Sequence, residues 1–284
     1  MNQNLILSNQ SRQSGAEAQA ELRPMQEADL PFVLTIINQH DEDDAEEAEE
    51  SYAEQGLENQ FVLVRGEEIL GVSGFRYAAG TIGTAWLSWT YLRKDAQQQG
   101  LGTWMLNAML QRMREENYRK IFVSTSDYVD PNEGPIYAAA NQLYQNVGFR
   151  QEVVHPDYFD VGESQIVYGL TLQSNMSIIP PHADNSCLLF NGLFEIPETD
   201  DVYVINWDVQ QKKLFGRNQQ FTAQDLQLGL ETAREWEARA VFISFPSNMP
   251  SVLPPLQAAG FVEEGRLKDY YEDGIDELRF RFNL

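Results

Sequence analysis

The chain has 284 residues, a net charge of −23 and a single cysteine. Its length suits one large or two modest domains, and its 43% share of hydrophobic residues excludes wholesale disorder. A single cysteine excludes an intrachain disulfide. The negative net charge argues against a nucleic-acid partner. The same charge would attract a cationic substrate, or it serves solubility alone.

The first elements follow a polar opening. Residues 1–20 are polar and predict a disordered lead-in. A short strand is predicted at Glu21–Met25, and an apolar helix then starts at Leu30 with Asp29 as its N-cap. The eight acids of Asp41–Glu50 indicate a solvated helix or loop, or alternatively a rim that attracts an amine substrate.

Strands and helices then alternate up to residue 172. Strands are predicted at 61–64, 69–75, 84–93, 121–124, 149–154 and 163–172, with helices from Gly102 and over Pro135–Gln145. The antiparallel strands come early, and a strand–loop–helix–strand crossover lies in the middle. Residues 21–173 therefore predict an α/β domain, a mixed central sheet flanked by helices.

The second part of the chain repeats this order. After a linker at 174–182, residues 183–284 predict strand, strand, helix, strand, helix and two final strands. LYQNVGFRQE (Leu143–Glu152) aligns with LQAAGFVEEG (Leu256–Gly265), and both contain a Gly-Phe pair after a helix. We expect two tandem copies of one fold, the second without its first strand and helix.

The segment Gln97–Gly102 (QQQGLG) lies between a predicted strand and a predicted helix. Free N–H groups at a helix start favour an anion, and Gly100 and Gly102 let the backbone approach it closely. The alternative is a glycine-rich turn that only packs the helix on the sheet. The chain has no Gly-x-x-x-x-Gly-Lys-Ser/Thr and no early Gly-x-Gly-x-x-Gly, which argues against two other phosphate loops.

Four segments together resemble the GCN5-related N-acetyltransferase (GNAT) superfamily. LRPMQEADLPFVLTII resembles its first strand and helix, FVLVRGEEILGVSGF its next two strands, Gln97–Gly102 its acyl-CoA signature, and LYQNVGF its fourth-helix ending. The resemblance covers Glu21–Leu172. It implies the acyl-CoA N-acyltransferase fold, with acetyl-CoA as co-substrate and transfer of an acetyl group to a primary amine.

The resemblance also implies residue roles. The cofactor-binding residues would be Leu92, Gln97, Gln98, Gln99, Gly100, Leu101, Gly102, Thr103 and Asn141. Backbone donors from Gln98 to Thr103 would hold the pyrophosphate, and the Leu92 amide would face the thioester oxygen. Tyr144 would protonate the leaving thiolate.

Two positions depart from the family pattern. The strand at 84–93 has no carboxylate, so Asp127 is the predicted substitute base, ahead of Glu67, Glu68 and the acids of 41–50. Tyr137 stands where relatives often have Asn, and Asn132 or Asn141 would then take over a cofactor contact.

The second copy is expected to be degenerate and non-catalytic. Val209–Gln220 replaces the glycine loop, and Gln257 aligns with Tyr144. Three bases, Lys212, Lys213 and Arg217, leave a residual nucleotide or CoA site as the alternative. For the whole chain, the alternatives to an enzyme are a non-catalytic acetyl-CoA sensor and a purely structural protein.

The remaining expectations concern partners and location. His40, His155 and His182 are isolated, so each is predicted to be a surface or loop residue and no metal site is expected. No basic-then-apolar leader opens the chain, and no apolar run approaches the roughly 18–20 residues that span a bilayer. We expect a cytoplasmic monomer or homodimer, free of membrane and nucleic acid, acting on a small-molecule or protein amine.

Overall fold

A computed structural model describes residues 5–6, 20–132, 134–174, 187–210 and 221–284. Most of the predicted lead-in and of the predicted linker lies outside these ranges, as do Lys212, Lys213 and Arg217. Within the described ranges, no helix has both the length and the apolar character needed to cross a membrane.

The first sheet is mixed, as the sequence predicts. Its strands are β1 (Leu5–Ile6), β2 (Ala20–Pro24), β3 (Gln60–Arg65), β4 (Glu68–Tyr77), β5 (Thr84–Leu92), β6 (Lys120–Ser126), β7 (Arg150–His155) and β8 (Gln165–Thr171). They lie in the order β1-β2-β3-β4-β5-β6-β8-β7. Only the β5–β6 pair is parallel among these described strands, and the others are antiparallel.

Helices cover both faces of this sheet. They are α1 (Leu30–Asn38), α2 (Glu42–Gln55), α3 (Leu101–Glu115) and α4 (Ala138–Asn146). The buried faces of α1 and α2 pack on one side, against Val62 and Val72. The methionines and leucines of α3, with Tyr144 of α4, pack on the other side, against Leu63 and Ile121.

Asp29 occupies the position before α1, yet its carboxylate does not cap this helix. It accepts the Gln26 N–H at 2.8 Å and forms a bidentate pair with Arg23, at 2.7 and 2.8 Å. Asp29 is therefore the N-cap residue, as predicted, but its side chain does not cap α1, because a short 3₁₀ turn at Glu27–Asp29 precedes the helix.

The second sheet repeats part of the first. Its elements are β9 (Cys187–Glu195), β10 (Val202–Gln210), α5 (Ala223–Glu235), β11 (Ala240–Pro246), α6 (Leu253–Ala259), β12 (Val262–Glu272) and β13 (Ile275–Asn283). The order β12-β13-β11-β10-β9, with β10 and β11 parallel, matches β7-β8-β6-β5-β4. The chain thus contains two tandem copies of one mixed α/β fold.

The two copies meet where β12 packs across β7. Leu267 is fully buried against Phe122, Val153 and Val167. Phe122 points away from Ile121 and Val123, which pack under α3, so the second copy covers the sheet face that also carries α1 and α2.

Charged groups cross this interface. Arg119 is only 1% exposed and donates to the Asp273 carboxylate at 2.9 Å and to the Asp269 carbonyl at 2.5 Å. Glu152 accepts from Lys120 Nζ and from the Lys268 N–H, both at 2.6 Å. A buried pair of this kind is costly to break, since removing one partner leaves an uncompensated charge.

His155 also lies in this interface. It is fully buried at the end of β7 and pairs with Glu264 of β12. Burial lowers the pKa of His155, although the contact with Glu264 opposes this effect. The prediction of a surface or loop histidine is wrong here, because the second copy covers the end of β7.

Candidate active site

A cleft opens between β5 and β6. The two strands pair only from Thr84–Trp86 to Lys120–Phe122. Beyond this point β6 stays paired with β8 as far as Ser126, while β5 follows β4 to Leu92. The separated strand edges leave backbone groups that can pair with an extended amide-containing ligand.

The predicted anion loop lies at the start of α3. Gly100 is the N-cap, with the left-handed φ of +77° that favours glycine, and Gln97–Gly100 are exposed. The first helical bond runs from the Trp104 N–H to the Gly100 carbonyl at 3.1 Å, so the N–H groups of 101–103 precede the helical ladder. A Cβ at Gly100 would meet no atom within 4 Å, which leaves room for phosphate oxygens.

Leu92 turns its amide towards the cleft. The next N–H, that of Arg93, donates to the Leu70 carbonyl of β4 at 2.9 Å. Because backbone groups alternate between the two edges of a strand, the Leu92 N–H points to the opposite edge. His40 Nε2 donates to the Leu92 carbonyl at 2.7 Å and so holds the end of β5.

Tyr144 lies in α4, across the cleft from β5. It is 5% exposed and packs against Phe149 and Tyr168, with ring centroids 5.7 and 6.3 Å away. Burial raises the pKa of Tyr144 to about 12, although a hydrogen bond with Thr90 opposes this rise. The phenol is therefore protonated at neutral pH and can act as an acid.

Two polar atoms beside the cleft are buried without a hydrogen-bond partner. They are Asn141 Oδ1 and Thr125 Oγ1, from α4 and from the end of β6. The Asn141 amide donates to the Ser126 carbonyl at 3.3 Å, so its oxygen faces elsewhere. Buried polar atoms are normally paired, and the amide groups of an acyl-CoA pantetheine arm would supply partners. These residues fit that cofactor.

Asp127, the predicted base, is exposed just after β6. Its carboxylate accepts the Ser164 N–H at 2.7 Å, which joins it to the loop between β7 and β8. Asn132 is also exposed, and its N–H donates to Asp130 in the loop before α4.

A half-buried carboxylate, which the sequence makes a weaker candidate base than Asp127, lies near the end of β5. Asp44 of α2 accepts hydrogen bonds from the Tyr91 hydroxyl and, at 3.0 Å, from the Tyr137 hydroxyl. Burial raises the pKa of Asp44 to about 6. A sequence signal existed, because Asp44 precedes the buried Ala48 and Tyr52 at four-residue steps and so shares their face.

Further carboxylates converge on this side. Burial raises the pKa of Glu163, and the charges of Asp127, Asp160 and Asp41 raise it further. The pKa of Glu198, in the turn between β9 and β10, is raised by desolvation and then by the negative charges of Asp44, Glu47 and Asp41. Both copies of the fold thus bring negative charge to one region.

Sequence comparison gives a family match in the first part of the chain. A family model described as the acetyltransferase (GNAT) family matches residues 22–149. No curated protein matches the chain.

Several solved structures are similar to part of the chain. A protein from Desulfovibrio desulfuricans assigned to the GNAT family is 22% identical, with a TM-score of 0.48 over 54% of this chain and 99% of its own. The ribosomal-protein-S18-alanine N-acetyltransferase from Escherichia coli is 19% identical, with a TM-score of 0.44 over 57% of this chain and 99% of its own. A Salmonella typhimurium protein assigned as an acetyltransferase, solved with its cofactor acetyl-CoA, is 18% identical, with a TM-score of 0.44 over 56% and 96%.

The matched segment contains the anion loop, both edges of the cleft and Tyr144. Residues 22–149 of this chain therefore match the model of the acetyltransferase (GNAT) family.

Proposed function

We propose that the protein transfers an acetyl group from acetyl-CoA to a primary amine of a cationic acceptor, either a small molecule or a protein amine. One observation carries this proposal: the helix-start loop, the Leu92 amide and the Tyr144 hydroxyl adjoin a single cleft between two separated strands. An anion site, an oxyanion donor and an acid are what acyl transfer from a thioester requires.

The residues have distinct roles in this reaction. Backbone N–H groups from Gln98 to Thr103 hold the pyrophosphate at the start of α3. The amine attacks the thioester carbonyl, a C–N bond forms, and the carbonyl electrons move to the oxygen that faces the Leu92 N–H. The C–S bond then breaks, Tyr144 gives its proton to the sulfur, and it regains one from the new amide nitrogen.

Before attack, the ammonium form of the amine must lose a proton, because an amine pKa near about 10 keeps it charged at neutral pH. Asp127 is the base proposed from the sequence. The carboxylates around Asp44 and Glu198 support a cationic acceptor, since a second positive charge on the substrate would relieve their mutual repulsion.

The first test is release of CoA thiol from acetyl-CoA in the presence of monoamines, diamines and polyamines. We expect release with at least one amine and stronger turnover with dications. Binding of CoA without release for every amine would instead indicate a non-catalytic sensor, and no binding in calorimetry would exclude both.

Gly100 tests the loop. Gly100→Glu places bulk and negative charge in the open space before α3, so we expect CoA binding to be lost while the fold is kept. Gly100→Ala is the matched control, because it carries the same cost of roughly 1–2 kcal/mol for a left-handed residue but adds no charge. Equal CoA affinity in the two variants, measured by calorimetry, would show that the loop does not bind the pyrophosphate.

A further inference from the structure

Asp44 is a carboxylate held between two tyrosine hydroxyls. Tyr91 of β5 and Tyr137, just before α4, both donate to its Oδ2 atom. The pKa of Asp44 is raised to about 6, because the effect of burial exceeds the opposing effect of the two hydrogen bonds. Such a group is ionised at neutral pH yet basic enough to take up a proton, which suits general-base catalysis.

The groups that face Asp44 come from four parts of the chain. They are Tyr91 from β5, Tyr137 before α4, Asp41 and Asp43 at the start of α2, and Glu198 from the second copy of the fold. The charges of Asp41 and Asp43 raise the pKa of Asp44. These surroundings favour uptake of a proton.

Tyr91 connects Asp44 to the proposed reacting centre. It directly precedes Leu92, the residue whose amide faces the cleft. Burial raises the pKa of Tyr91, and the negative charge of Asp44 raises it further. Tyr91 therefore keeps its proton and can pass it on only while it receives another.

We propose that Asp44 is the proton acceptor for the ammonium group of the substrate, acting through the Tyr91 hydroxyl. This inference rests on the proposed acetyl transfer. The ammonium gives a proton to Tyr91 Oη while the Tyr91 proton passes to Asp44 Oδ2. The amine lone pair is then free to attack, and Asp44 returns its proton to water after the product leaves.

The geometry favours Asp44 over Asp127 for this step. Asp127 is exposed and its carboxylate accepts a loop N–H, whereas Asp44 is linked through one hydroxyl to the strand that carries Leu92. Tyr137 also gains a role, because the family's usual Asn could not extend to Asp41 and Asp44 as this phenol does, at 3.1 and 3.0 Å.

The decisive experiment is the pH profile of CoA thiol release for Asp44→Asn and for Asp43→Asn. Asp43 is the matched control, because it lies one position away on α2 with an exposed side chain. Wild type should lose activity as pH falls through about 6, since a protonated Asp44 cannot accept a proton. We expect Asp44→Asn to lower kcat about 100-fold and to lose this acid limb. Asp43→Asn should keep the limb and move it only slightly to lower pH, because the charge of Asp43 raises the pKa of Asp44.

Tyr137→Phe gives a second readout. Its hydroxyl lowers the pKa of Asp44, so its removal should move the acid limb to higher pH, which a merely structural role would not do. Asp127→Asn should leave the limb in place.

Two results would overturn the inference and leave acetyl transfer standing. One is an acid limb that persists in a folded, CoA-binding Asp44→Asn variant, and the other is its loss in Asp127→Asn. If Asp44→Asn does not fold, an unshifted limb in Tyr137→Phe decides against the inference. Absence of thiol release by wild type with every amine would overturn the proposed function, and this inference with it.

Discussion

Tyr144 owes its protonated state to its surroundings. Two aromatic rings and the body of the first domain bury it, and this burial raises its pKa to about 12. The raised pKa keeps this phenol protonated until charge develops on the departing thiolate, although it also makes Tyr144 a weaker acid than a free tyrosine.

Tyr144→Phe removes the acid and keeps the ring that packs against Phe149 and Tyr168. We expect kcat to fall by about 100-fold or more with CoA affinity unchanged. Tyr168→Phe is the control, because Tyr168 is equally buried and its hydroxyl accepts only the Gln145 amide among its described bonds, at 3.1 Å. Equal turnover of Tyr144→Phe and wild type would leave Tyr144 a packing residue only.

The sequence predicts some of these residues and misses others for a physical reason. Gly100 and Tyr144 lie in local patterns, a helix start and a helix end, so neighbouring residues predict their positions. Asp44 stands among eight acids, and its spacing before Ala48 and Tyr52 places it on the inner face of α2. Which hydroxyl groups contact it depends on how α2 packs against the sheet, and the sequence does not give that packing.

At the level of elements, the cleft is formed because β5 and β6 pair over only part of their lengths. β6 pairs with β8 along its full length from Lys120 to Ser126, whereas it meets β5 over only three residues. The order of strands and helices follows from hydrophobic periodicity, and the sequence predicts it in both copies. The docking of β12 on β7 cannot be predicted from this periodicity. Its interface buries Arg119, Lys120 and His155, whose residue types are typical of the surface.

Gly265 permits this docking. A Cβ at this position of β12 would lie 2.4 Å from Val153 Cγ2 of β7, closer than carbon atoms approach. Gly265→Ala should therefore destabilise the protein by about 1–3 kcal/mol, although alanine is otherwise the better strand residue of the two. Thermal or urea unfolding measures this change.

Val153→Ala provides the matched control for the contact. It removes the Cγ2 atom that a residue-265 methyl group would meet, so the double variant should be more stable than the sum of the two single changes predicts. Strict additivity would mean that the two strands do not depend on this close approach.

At the level of the whole molecule, the second copy adds to the surface beside the proposed acceptor site of the first. It covers the same sheet face as α1 and α2, and its turn brings Glu198 near the acids of α2. Gln257, which aligns with Tyr144, is exposed, and a second copy without a catalytic phenol would still shape specificity in this way.

Glu198→Gln tests this contribution. Loss of one negative charge should raise KM for a dicationic amine about threefold and reduce its dependence on salt, with kcat and CoA affinity unchanged, because a partly exposed charge pair contributes roughly 0.2–1 kcal/mol. Glu195→Gln is the control, an exposed acid of the same turn region. If both variants change KM equally, the effect belongs to the net charge of −23 and not to Glu198. A monoamine substrate should respond less than a diamine, since it lacks the second charge that Glu198 would contact.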